Sequence, residues 1–122
     1  MTIKQLFEQL KPAFSKGSTL DNPGGGITTI TGIGEENISY IRGASRMYLP
    51  YAAMVDALNI FADKTITTTD LKDLNPAVFD SKKGGHSCNC TVMFCILERM
   101  GLIDSGIKGS GRRGSPFSIK IR

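Results

Sequence analysis

Residues 70–114 hold the side chains that could do chemistry, and three kinds are conceivable. The first is metal ligation, since His86, Cys88, Cys90 and Cys95 supply a Cys₃His set over residues 86–95. A tetrahedral zinc site needs four converging ligands, usually from two separate knuckles. On a helix, residues 86 and 90 share a face while 88 points away. The expectation is therefore no metal, with the cysteines acting as small apolar packing residues. A redox-sensing thiol at a helix start, where the dipole lowers the thiolate pKa, is the competing use. The second chemistry is dinucleotide binding, because Gly109-Ser-Gly111-Arg-Arg-Gly114 matches G-x-G-x-x-G. That fingerprint needs a strand before it, a helix after it and an acid about 20 residues on. Pro116 follows too closely for any such unit. The third is nuclease chemistry, which wants carboxylates clustered around Mg²⁺ with a nearby lysine. Asp70-Leu-Lys72 and Asp80-Ser-Lys82 have the Asp-x-Lys form but lie in helix or loop segments. A Cys-His or Ser-His nucleophile lacks a third group beside the single histidine. Neither catalysis nor a cofactor is expected.

What remains is positive charge, unevenly spread. The chain of 122 residues carries a net charge of +4, with 40% hydrophobic and 21% charged residues. Residues 1–81 hold seven Lys/Arg against nine Asp/Glu, whereas residues 82–122 hold eight against Glu98 and Asp104 alone. An imbalance this local suits an anionic partner. The length is that of one domain, large enough for a core without a metal or disulfide staple. Lys4, Glu8 and Lys11 interrupt any signal-peptide pattern, and no apolar run approaches the ~20 residues of a membrane span. Three crowded cysteines do not make a secreted disulfide framework, so a reducing, cytoplasmic setting is expected.

The elements that must position these residues can be read from pattern. Residues 2–11 form an amphipathic helix with Thr2 and Gln5 in capping-box spacing, and Pro12 is expected to end or kink it. Residues 15–26 are turn-rich and read as a loop; no Gly-Lys-Ser/Thr follows Gly24–Gly26 to make it a nucleotide loop. Residues 27–49 form an antiparallel β-meander, with Gly43-Ala44-Ser45 as a three-residue hairpin loop. That register sets Tyr40 opposite Tyr48 and Ile41 opposite Met47, and leaves Arg42 and Arg46 together as solvated edge residues. Tyr51–Ala62 is helical, followed by a short strand at residues 64–67. A helix over 70–74 follows, capped by Thr68 or Thr69, then a turn opened by Asn75-Pro76. Residues 90–100 are helical, with Val92, Met93, Ile96, Leu97 and Met100 buried, Asn89, Thr91 and Phe94 nearer the outside, and Gly101 as the stop. Residues 102–108 and 116–121 alternate as two strands around the glycine-rich tip.

Laid end to end, residues 51–121 read helix, short strand, helix, helix, strand, wing, strand. With Thr65-Ile-Thr67 before the second helix and Leu97-Glu-Arg-Met-Gly-Leu-Ile103 closing the third, this order resembles the winged helix-turn-helix superfamily. The implied fold is α+β: a winged-helix-like core at 51–122 beside an N-terminal helix and meander at 1–50, all in one domain. The chain departs from the common pattern at residues 75–85, where the turn is long. The resemblance implies a non-catalytic protein that binds duplex DNA, a regulator of transcription or a targeting module of prokaryotic or phage-like systems. Its recognition helix would span 86–100 and its wing 103–121. His86, Ser87, Asn89 and Thr91 would then meet base edges, and Lys82, Lys83, Lys108, Arg112, Arg113 and Lys120 would meet phosphates. The alternative is a winged-helix-like module that binds a protein partner, favoured by exposed Tyr40, Tyr48 and Tyr51.

Overall fold

A computed structural model describes all 122 residues. It is an α+β fold of five helical segments and two antiparallel sheets. Helix α1 (Ile3–Ala13) is opened by a capping box between Thr2 and Gln5 and buries Leu6 and Leu10. It runs through Pro12 to Ala13. The proline sits in the last turn, where the missing amide removes a single bond, and the amide of Phe14 still reaches the Leu10 carbonyl at 3.0 Å.

Strands β1 (Thr19–Asp21), β2 (Ile27–Ile33), β3 (Asn37–Arg42) and β4 (Ser45–Pro50) form a meander in that spatial order. β1 falls inside the stretch expected to be loop. Only Leu20 of its three residues is buried, so it carries almost no hydrophobic period to read.

The β3–β4 hairpin corrects the expected register by one residue. Its loop is Gly43-Ala44 alone, with Gly43 at φ +62° in the first central position, where a two-residue II′ turn calls for glycine. Tyr40 therefore faces Met47, Ile41 faces Arg46 and Ser39 faces Tyr48. A slip of one position exchanges the faces of a strand. Arg42 shares the inward face of Tyr40 by strand alternation, and Arg46, now opposite Ile41 instead of Arg42, is exposed. Tyr40 and Tyr51 are buried, and Tyr48 is the one exposed tyrosine, at 55%. The surface aromatics that favoured a protein partner are thus largely core.

Helix α2 (Tyr51–Ile60) packs on α1 and leads to β5 (Thr65–Thr67). Thr67, the last strand residue, caps α3 (Thr68–Leu74) in a capping box with Asp70, one position before the expected Thr68 or Thr69. A single turn, α4 (Pro76–Phe79), has proline in its first turn and is followed by a 3₁₀ turn at Ser81–Lys83. Helix α5 (Cys88–Arg99) ends at Gly101, φ +73°. There the Leu102 amide bonds the Leu97 carbonyl and the Gly101 amide bonds that of Glu98, a Schellman closure. Strands β6 (Ile103–Lys108) and β7 (Ser118–Ile121) complete a second sheet of order β5-β7-β6.

Helix α5 is the hub. It touches β1 and β4 of the first sheet, α3, α4 and β6. Burial takes in Asn89, Cys90 and all of Val92–Leu97, so Phe94 is fully buried rather than turned outward. The buried side chains of residues 1–50 and 51–122 join in one cluster of 28 residues. No helix is long and apolar enough to cross a membrane.

Candidate nucleic-acid interface

Helix α5 reaches the surface at its two ends, through Glu98 and Arg99 at the last turn and through His86 and Ser87 just before the first, and two further elements meet its start. The threonines and Lys72 of α3 form one wall, and the loop between β6 and β7 folds over as another. Between them lies a cleft of about 420 Å³ lined by Thr68, Thr69, Lys72, Ser87, Arg112 and Arg113, among others, with no carboxylate. Arg112 and Arg113 are exposed and in no ion pair within 4.0 Å. Lys82 and Lys83 are also exposed, on the 3₁₀ turn that precedes α5. That turn is tied to the cleft: the Ser87 amide donates to Ser81 Oγ at 2.9 Å, and the two hydroxyls are 2.8 Å apart. Arg112 and Arg113 thus line the cleft, and Lys82 and Lys83 lie on the turn hydrogen-bonded to its Ser87 wall.

The 109–117 loop owes its shape to glycine. Gly109 (φ +92°) lies so close to the Pro116 carbonyl that a Cβ would collide with it, and a Cβ on Gly111 (φ +74°) would strike the Phe117 ring. The close approach these two glycines allow is to the protein's own chain. Phe117 also lies 3.7 Å from the Cβ position of Gly24, so its ring pins this loop to the glycine loop before β2.

Four expected site residues fall elsewhere or are otherwise engaged. Asn89 is 2% exposed; its Oδ1 accepts from the Tyr40 hydroxyl at 2.6 Å and its Nδ2 donates to the Val78 carbonyl at 3.0 Å. It has no free edge for a base. Thr91 is half-buried and its hydroxyl oxygen accepts from Arg42 Nη1 at 2.8 Å. Lys108 and Lys120 lie on the outer face of the second sheet, the opposite side from buried Ile119, where Lys120 is 3.8 Å from Asp104 and donates to the Asp63 carbonyl. His86 is exposed and Ser87 half-buried at the helix start.

The cysteines do not gather. Cys90 Sγ lies against the carbonyls of Thr68 and Phe79, and Cys95 Sγ against that of Asp21. No three side chains of His, Cys, Asp or Glu converge. Burial raises the Cys90 thiol to about 12 and the Cys95 thiol to about 11. Both are protonated at neutral pH, the opposite of an activated thiol. The Asp70-x-Lys72 pair also serves structure first, since Asp70 is the capping-box acid of α3.

Two residues with a place in the surface were missed by the sequence reading. Lys72 appeared only as part of a nuclease-like triplet, although its α3 position brings it into the cleft. Arg42 was assigned to a solvated edge. The signal that could have found it is strand alternation, which puts residue 42 on the face of Ile38 and Tyr40, both buried. The chain matches no protein family, no curated protein and no solved structure.

Proposed function

We propose that this is a non-catalytic, winged-helix-type protein that grips duplex DNA mainly through its phosphates. The observation that carries the reading is the acid-free cleft at the start of α5, bordered by Lys72, Arg112 and Arg113 and neighboured by Lys82 and Lys83. Supporting it is the run α2–β5–α3–α4–α5–β6–β7, the element order on which the resemblance rests. The burial of α5 modifies the mode of binding. A helix covered along most of its length offers a groove little more than the residues that lead into it, so His86 and Ser87 remain as base-edge contacts while Asn89 is withdrawn. Affinity then comes chiefly from phosphates, and discrimination between sequences is weak.

The test is a salt titration of binding to random duplex. If Lys72, Lys82, Lys83, Arg112 and Arg113 each meet a phosphate, log affinity falls with log salt at a slope near about −4.5, from about −0.9 per contact. Absence of binding at low salt, or a slope near zero, overturns the proposal.

A further inference from the structure

A second hollow, about 550 Å³, opens beside the first and shares Thr91 and Phe117 with it. Its other walls are the glycine loop at 22–27 and Arg42 with Gly43. We propose that this hollow is a phosphate-binding site centred on Arg42. That it prolongs the phosphate track of the first cleft rests on the DNA reading above; the site itself does not.

The first argument is the state of Arg42. Arg42 is half-buried, and its guanidinium has no carboxylate within 4.0 Å. Three neutral oxygens hold it: Nε donates to Thr28 Oγ1 at 3.1 Å, Nη1 to Thr91 Oγ1 at 2.8 Å and Nη2 to Asn22 Oδ1 at 2.8 Å. Asn22 is itself fixed, accepting from the Thr28 hydroxyl at 2.6 Å. A cation withdrawn from water without a counter-charge is costly, and neutral acceptors orient it without neutralising it. Of the five N–H groups a guanidinium carries, three are spent on these oxygens, and the other two are left for a ligand. Their fork geometry suits two oxygens of one phosphate.

The second argument is the loop that faces it. The tight turn at 22–26 is closed by the Asn22 amide on the Gly26 carbonyl and the Gly25 amide on the Asn22 carbonyl, both 2.9 Å. Gly24 and Gly26, whose amides donate to no protein acceptor, line the hollow. Gly25 and Gly26 have φ of +104° and +83°; nothing stands within 4 Å of the Cβ position of Gly25, and the Asn22 side-chain amide nitrogen lies 3.6 Å from that of Gly26. Exposed main-chain donors in such a turn form an anion-binding concavity. No Asp or Glu lines the hollow to compete.

The experiment follows the Arg42 Nε–H and the Gly24 and Gly26 amides of the full chain by NMR, with inorganic phosphate in one arm and a short duplex in the other. Saturable shifts of all three groups with both probes are expected. Arg42→Lys, which keeps the charge but loses the fork, weakens the response by about tenfold, the scale of one lost bidentate contact. Shifts with phosphate but none with duplex keep the site, assign it to a free phosphate-bearing molecule and overturn the DNA reading. Duplex shifts confined to the Arg112–Arg113 region, with Arg42, Gly24 and Gly26 unmoved by either probe, overturn the site and leave the DNA reading standing. The wild-type Nε–H signal decides even if Arg42→Lys perturbs folding.

Discussion

Asn89 and Tyr40 show how a residue suited to one task can be taken for another. An asparagine at a helix start has the donor and acceptor a base edge needs, yet here both are satisfied inside the protein. Asn89→Ala leaves the Tyr40 hydroxyl without its 2.6 Å acceptor and the Val78 carbonyl with the His86 amide as its one remaining donor. It should cost about 1–3 kcal/mol, read as a lowered denaturation midpoint. Tyr40→Phe in the Asn89→Ala background should cost much less than in the wild type, because the two changes remove one interaction. Additive losses would mean that the pair does not act as a unit. The buried thiol of Cys90 makes a pH prediction. Its folded pKa, about 12, lies above the ordinary 9.0, so the native state holds its proton longer than the unfolded state. The stability this contributes is complete below pH 9 and is lost as pH rises from 9 through about 12. Thermal melts should fall over that window, and Cys90→Ala should flatten the fall; an unchanged slope would refute the assignment.

Elements here are shaped by short-range chemistry that is easily tested. The β6–β7 loop depends on Gly109, where both a positive φ and a neighbouring carbonyl forbid a side chain, whereas Gly114 has a positive φ but open space around it. Gly109→Ala should therefore disorder the loop and expose it to proteolysis. Gly114→Ala should cost only the left-handed penalty of about 1–2 kcal/mol or less. Equal protease sensitivity of the two variants would contradict the packing against Pro116. The same loop explains how helix α3 contributes to the cleft. Thr67 ends β5 and caps α3 in one residue, which brings Thr68, Thr69 and Lys72 under the loop tip. Helix positions were readable from apolar spacing and caps because those signals are local. The hairpin register was misread because Gly43-Ala44-Ser45 permits two loop lengths, and only the paired strands select between them.

At the scale of the molecule, the cations of the basic C-terminal third divide between the cleft, with Arg112 and Arg113, and the outer sheet face, with Lys108 and Lys120. Arg112 and Arg113 touch no acid, so replacing both with alanine should leave thermal stability within about 0.5 kcal/mol of the wild type. Duplex affinity should fall alike for every sequence, and the salt slope should shrink by about 1.8, two contacts' worth. Loss confined to one sequence would instead indicate base reading. Lys108→Ala, on the outer sheet face, should leave both quantities near wild type; a loss matching that of the arginines would mean the interface wraps the sheet.

Composition and pattern alone determined the α+β class, most element positions, the Gly101 stop and the basic C-terminal third. Each depends on neighbours within a turn or a strand, where propensity and periodicity act. The tertiary structure decided what those elements show to the outside. It wrapped α5 between two sheets and so withdrew Asn89, set Lys108 and Lys120 on the far face, and turned Arg42 inward beside the glycine loop. Such outcomes depend on partners 49 residues apart, as in Tyr40 with Asn89 and Arg42 with Thr91. No local pattern carries that information, because whether a polar side chain is free or satisfied is settled only when distant segments pack.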